Sequence, residues 1–121
     1  MKRDLKKIRS ALAKGPNRIF LHSNADMDCV GSAAALAMHY GNSSLCSPCG
    51  VSHLGKRLLD ILEIETTDEL SFAEDENIFI VDAQGDSSLG YTGVNWDKAI
   101  VIDHHKNTGK CKAAACFIDE E

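Results

Sequence analysis

Between His22 and Ser32 the chain reads His-Ser-Asn-Ala-Asp-Met-Asp-Cys-Val-Gly-Ser, which places three potential metal ligands, His22, Asp26 and Asp28, within seven residues. Imidazole and carboxylate donors suit hard and borderline divalent cations such as Mn²⁺, Mg²⁺ or Co²⁺. Taken alone the loop is ambiguous, because Asp, Asn and Ser are also the commonest turn and N-cap residues, and a turn capping a helix through Asp28 would look the same. Two further places carry groups of the same kind. Asp82 follows the apolar run Asn77–Val81, and Asp103-His104-His105 follows Ala99–Ile102.

These groups need elements that bring them together. Ile19-Phe20-Leu21, Asn77–Val81 and Ala99–Ile102 are short apolar runs of the kind found in strands covered on both faces, and each ends in a carboxylate or imidazole. Val30 to Tyr40, rich in Ala, reads as the helix after the first of them. Ligands of open α/β sheets collect at the carboxyl ends of parallel strands. Neighbouring strands stand about 4.8 Å apart, so three adjacent strand ends can share a pair of ions. Gly31 and Ser32, at the start of the helix, would let backbone N–H groups approach a phosphate, although Gly31 serves equally for close helix–strand packing. Lys106, Lys110 and Lys112 follow the His pair and would stand at the mouth of such a site.

The rest of the chain supplies the frame. A length of 121 residues allows one domain, and 44% apolar with 26% charged residues is an ordinary globular composition. The longest run of small apolar residues, Ala33 to Met38, is too short to span a bilayer, and the basic start leads into an amphipathic pattern rather than a secretory signal. Five cysteines without a framework spacing fit a reducing cytoplasm. A net charge of −5 argues against a protein that coats nucleic acid non-specifically. The basic first helix and the acidic stretch Asp60–Glu76 read as solvated surface.

Asp4 to Ala13 should form an amphipathic helix closed by Lys14-Gly15-Pro16. Leu45 to Ser47 suggests a brief strand, and a helix from about His53 to Ile64 has Leu54, Leu58, Ile61 and Leu62 along one face. His53 has no partner motif and stays outside the site, and Asp86 reads as a turn residue. Cys46-Ser-Pro-Cys49 is open to three readings: half of a zinc site with Cys111 and Cys116, a redox pair, or incidental thiols. Asn107-Thr108-Gly109 reads as a turn, Cys116-Phe117-Ile118 as a last apolar run, and Asp119-Glu120-Glu121 as the start of another helix.

Taken together and in order, His22-x-x-x-Asp26-x-Asp28-x-x-Gly31-Ser32, the lone Asp82 and Asp103-His104-His105 resemble the DHH phosphoesterase superfamily. That group includes RecJ-type exonucleases, oligoribonuclease/phosphoadenosine phosphatases, cyclic-dinucleotide phosphodiesterases and manganese-dependent inorganic pyrophosphatases. The resemblance covers residues 18 to 119. It implies an α/β domain, a parallel β-sheet with helices on both faces, and two Mn²⁺ ions. By it, His22, Asp26 and Asp82 would hold one ion, while Asp28, Asp82 and His104 would hold the second, so that Asp82 bridges. His105 would contact the scissile phosphate and Asp103 would orient the His pair. Water would be the nucleophile, in keeping with what two such ions can do to its acidity.

One departure is plain. The family carries a fourth motif, an Asp well downstream of the His pair, and usually a C-terminal domain with a glycine-rich substrate loop. Residues 1–121 contain neither, since Asp119 stands close to the His pair in a helix-capping context. The expectation is therefore the N-terminal part of a DHH domain, with limited turnover by itself and an uncovered sheet edge that could recruit a second copy. Three readings compete: a metal-dependent phosphodiesterase or phosphatase acting on short oligonucleotides or nucleotides, an inorganic pyrophosphatase, and a non-catalytic metal- or partner-binding fragment.

Overall fold

The computed structural model describes residues 5–70, 74–106 and 111–119. The expectations for Asp4, for the Asn107-Thr108-Gly109 turn, for Lys110 and for Glu120-Glu121 lie outside them. The elements run α1 Leu5–Lys14, β1 Asn17–Phe20, α2 Met27–His39, β2 Ser43–Cys46, α3 His53–Leu62, β3 Thr66–Thr67, β4 Asn77–Val81, α4 Asp86–Leu89, β5 Ala99–Asp103 and β6 Ala115–Ile118. The strands make one six-stranded sheet in the order β3-β2-β1-β4-β5-β6, and every pairing is parallel.

Winding proceeds from β1 outward to β3, then returns to place β4 on the other side of β1 and continues to β6. Parallel connections cross over in a right-handed sense, so reversing the direction of winding sends the two sets of connections to opposite faces. The core divides accordingly. Ile19, Leu21, Leu45, Phe79, Val81 and Ile100 pack against Ile8 and Leu12 of α1, Val30 and Ala33 of α2, and Leu59 of α3. Alternate residues of the same strands, Phe20, Ile78, Ile80 and Val101, meet Leu89 of α4 and the irregular segments carrying Leu70, Tyr91, Val94 and Trp96. Helices thus lie on both faces, three long ones on the first and a single turn on the second.

Polar residues anchor the amino ends of the strands. Asn17 and Asn77 stand opposite each other in β1 and β4. Their amides donate to the carbonyls of Leu12 (2.9 Å) and Ala11 (2.7 Å), the latter also accepting from the Gly15 backbone N–H, so α1 is tied to the sheet through carbonyls near its C-terminus. This is why β1 begins at Asn17, ahead of the apolar run.

The rotation of α3 differs from the apolar stripe in its sequence. Leu59 is buried and Leu58 and Leu62 are half-buried, while Leu54 and Ile61 face outward at 58% and 74% exposure. Gly55 fixes this rotation. A Cβ there would lie 2.7 Å from the carbonyl oxygen of Ala25, so only glycine permits the approach that turns this side of α3 inward. Gly31 on α2 belongs to the same helix pair, because its Cβ position faces Leu58. Among the described residues no helix is long and apolar enough to cross a membrane.

Candidate metal centre

β1, β4 and β5 are neighbours, so the three ligand-bearing strand ends lie side by side at the point where the winding reverses. Asp82 is their common member. It follows β4 with a φ of 65°, in the left-handed region that Asp tolerates better than most residues, and it is only 7% exposed. One carboxylate oxygen lies 3.2 Å from Nε2 of His22, and the other lies 2.8 Å from Nε2 of His104 and 3.6 Å from Nδ1 of His105. An imidazole from the β1 side and two from the β5 side therefore converge on one buried carboxylate.

Asp103 stands beside it, buried at the end of β5. Its carboxylate accepts from Nδ1 of His105 (2.7 Å), from the backbone N–H of His104 (2.8 Å) and from the amide of Gln84 (2.7 Å). Burial alone would raise the Asp103 pKa, yet these donors outweigh it and hold the carboxyl below its ordinary value. The same bond, with Asp103 and Asp82 close by, raises the His105 pKa against a smaller opposing effect of burial. The aspartate of the Asp-His-His motif thus orients the ring of His105 and accepts from the backbone N–H of His104.

Gln84 is the residue that sequence reasoning passed over. Its Nε2 donates to Asp103 and also lies 3.1 Å from the carbonyl of Lys106 and 3.4 Å from that of His105, so one amide ties the β4 loop to the motif after β5. All three partners are acceptors, which fixes the orientation of the amide and leaves its buried Oε1 without a donor among the described residues. A glutamine in a polar loop two residues after Asp82 carries no sequence signal that distinguishes it from a turn residue.

The loop after β1 is organised by capping. Asp26 is the N-cap of α2 and accepts from the backbone N–H of Cys29 at 3.0 Å, so the cap falls on Asp26 rather than on Asp28. The Asp26 carboxylate remains 3.8 Å from His22 Nε2. Asp28 is exposed in the first turn and lines a separate hollow with Asp26, Met27, Ser52, His53 and Leu54. The structure therefore groups His22, Asp26, Asp82, Asp103, His104 and His105, while Asp28 lines the neighbouring hollow beside Asp26. Cys29 lies near His22 and Asp82, but burial pushes its thiol up to about 12, which keeps it protonated and a poor ligand.

Asp82 and Asp103 line both of two neighbouring cavities. One, of about 350 Å³, is lined by His22, Asp26, Gln84, Asp103, His105 and Lys106 together with Asp82. The other, of about 330 Å³, is lined by Ser32, Asp82, Asp103, His104, Phe117 and Asp119. Lys106 is thus at the mouth of the first, and Ser32 is on the wall of the second while its hydroxyl donates to the Asp28 carbonyl at 2.7 Å. Asp119, read from sequence as a helix cap, stands at the end of β6 on the second cavity and donates its backbone N–H to the Asp103 carbonyl. Asp86 accepts from the Trp96 indole at 2.9 Å, outside the centre.

The donor set fits divalent cations. His22 and Asp82, and separately Asp82, Asp103, His104 and His105, each bring their ligand atoms within 4.8 Å of one another, and the two groups meet in Asp82. A parallel α/β sheet with its oxygen and nitrogen groups gathered at the switch point places the protein in the doubly wound class, with side chains there that could hold a divalent cation. Residues 18–121 match the model of the DHH family, N-terminal domain, and the chain belongs to that family, which is one of metal-dependent phosphoesterases. It is also 31% identical over 110 residues to the uncharacterized protein MJ0988 of Methanocaldococcus jannaschii. That match takes in 83% of this chain and 32% of the relative, so the chain spans about a third of the relative's length.

Proposed function

We propose that this chain is the metal-holding, N-terminal part of a phosphoesterase that hydrolyses phosphodiester or phosphate bonds of short oligonucleotides or nucleotides in the cytoplasm, with two Mn²⁺ ions as cofactor. The observation that carries the reading is the position of Asp82, a buried carboxylate whose two oxygens serve His22 on one side and His104 on the other, with a cavity beside each. His22, Asp26 and Asp82 would hold one ion. Asp82 and His104 would hold the second, with Asp28 as its further ligand after a rotation toward the centre.

Two bound dications would polarise a phosphoryl oxygen and acidify a water between them. The chain's own residues do the remaining work. His105, held through Nδ1 by Asp103, would in its protonated form donate from Nε2 to a phosphate oxygen. Gln84 fixes Asp103 and the backbone at residues 105 and 106, so that the imidazole and Lys106 approach the substrate from a set direction. Lys106, and backbone N–H groups near Gly31 and Ser32, would offset the charge of the phosphate.

The isolated chain should bind one Mn²⁺ more tightly than a second, because His22, Asp26 and Asp82 already face one another, whereas Asp28 lines the hollow beside Asp26 and not the cavity that holds His104. The test is calorimetric titration with Mn²⁺ combined with an assay of dinucleotide and of pyrophosphate hydrolysis by the chain and by the longer protein. Cleavage of dinucleotides that depends on Asp82 supports the reading. Cleavage of pyrophosphate alone would replace it with the pyrophosphatase reading, and metal binding without any hydrolysis would replace it with the non-catalytic one.

A further inference from the structure

The spacing Cys46-x-x-Cys49 draws attention first, but the structure brings a different pair of thiols together. Sγ of Cys111 lies 3.5 Å from Sγ of Cys116, and both residues are half-exposed. Cys46 is buried and its thiol donates to the carbonyl of Glu69, while Cys29 is buried behind the metal centre. Among the described residues, no cluster with three or more metal-ligand side chains includes Cys46, Cys49, Cys111 or Cys116, so the zinc arrangement has no support.

A disulfide needs its sulfurs about 2.05 Å apart, so the pair at 3.5 Å has roughly 1.5 Å to close, within reach of small side-chain rotations. The location gives the bond something to hold. Cys116 lies in β6, across from Val101 of β5, and Cys111 packs with Ala113 under the second face of the sheet as the chain enters that strand. β6 flanks the strand that carries Asp103, and the Asp103 carbonyl accepts from the N–H of Asp119 just beyond it.

We propose that Cys111 and Cys116 form a reversible dithiol–disulfide couple that fastens the segment entering β6 to the strand itself, at the outer edge of the sheet that bears the metal centre. The co-reactant is a low-molecular-weight disulfide of the glutathione type. One cysteine thiolate attacks a sulfur of that disulfide and expels one glutathione thiolate, forming a mixed disulfide. The second cysteine thiolate then attacks the protein sulfur of the mixed disulfide and expels the other. Two protein thiols are oxidised with loss of two protons and two electrons, and glutathione disulfide is reduced to two glutathione thiols.

The test equilibrates the full chain with glutathione buffers of graded oxidation, quenches with acid, and alkylates every remaining thiol under denaturing conditions before intact-mass and peptide analysis. The expected product lacks two hydrogens, with Cys111 and Cys116 jointly protected from alkylation, Cys29, Cys46 and Cys49 alkylated, and full reversal by dithiothreitol. This pairing should exceed any other by at least ~10-fold in its equilibrium constant, and the preference should disappear when the equilibration is repeated in denaturant. Cys111→Ser should leave Cys116 alkylated, and Cys116→Ser should do the same for Cys111. Equal protection of another pair, accumulation of glutathione adducts without ring closure, or the same distribution in denaturant would overturn the proposal.

Discussion

On one side of Asp82, the ends of β4 and β5 hold Asp103, Gln84 and His105 in a closed set of short hydrogen bonds, with both Asp82 and Asp103 buried. On the other side, the loop after β1 presents a half-buried His22 and leaves Asp26 and Asp28 exposed, its geometry set mainly by the helix cap at Asp26. The two sides carry the same kinds of donor yet differ in how far they are organised before any ligand arrives. The β4–β5 side is fixed by side chains that bond one another. The β1 side has ligand groups that an ion must still collect, which suits an adaptable half of a site facing a rigid one.

Asp82→Asn should produce the largest effect, because it alters the one group common to both sides. Asparagine keeps the shape and tolerates the positive φ, so circular dichroism should be unchanged while Mn²⁺ affinity falls by more than ~100-fold, beyond what loss of an outer-shell partner usually causes. Retained affinity at both sites would mean that the two sides bind ions independently.

Gln84→Leu probes the rigid side. It removes a donor from a buried carboxylate and the tie to residues 105 and 106, so urea unfolding should show a loss of about 1–3 kcal/mol. An unaltered unfolding midpoint would show that the closed hydrogen-bond set is not what stabilises this side.

The adaptable side separates into capping and ligation. Asp26→Ser keeps an acceptor for the Cys29 N–H but removes the charge, so stability should hold while Mn²⁺ affinity drops; Asp26→Ala should lose about 1 kcal/mol of stability as well. Asp28→Asn should weaken only the second ion, leaving the unfolding midpoint in place, and identical titrations before and after that change would remove Asp28 from the ligand set.

The smallest effect concerns Tyr91, whose hydroxyl donates to the Leu21 carbonyl at 2.7 Å just ahead of His22. Burial, with a smaller contribution from nearby cysteines, raises its pKa above the ordinary phenol value. A group whose folded pKa is raised contributes stability below the unfolded pKa and loses it as pH climbs past that value, here about 10. Unfolding measured between neutral pH and pH 11 should therefore decline less steeply for Tyr91→Phe than for the parent chain. Parallel declines would exclude Tyr91 as the titrating group.

Strand ends are the most readable part of the sequence, since Ile78–Val81 and Ala99–Ile102 are apolar throughout and each stops at a ligand. That regularity is a property of parallel strands buried on both faces, and it placed Asp82, Asp103, His104 and His105 together without knowledge of any side-chain contact. Other features depend on tertiary contacts. Thr66–Thr67 is too short to have a pattern, and α4 is a single turn inside a polar loop. The exposure of Leu54 and Ile61 follows from Gly55 meeting the Ala25 carbonyl, and the role of Gln84 follows from acceptors 19 to 22 residues away. In sequence Asp119 has a helix-capping context, whereas in the sheet β6 lies next to β5 and carries it to the cavity beside His104.

The central claim is that one carboxylate, Asp82, lies between two cation sites. Diffraction from crystals of this chain soaked in Mn²⁺, recorded with the anomalous signal of manganese, tests it most directly. The account predicts two peaks about 3.5–4 Å apart, one toward His22 and one toward His104, both bonded to Asp82, with the peak on the His104 side lower in occupancy. Peaks that leave Asp82 uncoordinated, or a single ion bound away from it at saturating Mn²⁺, would contradict it.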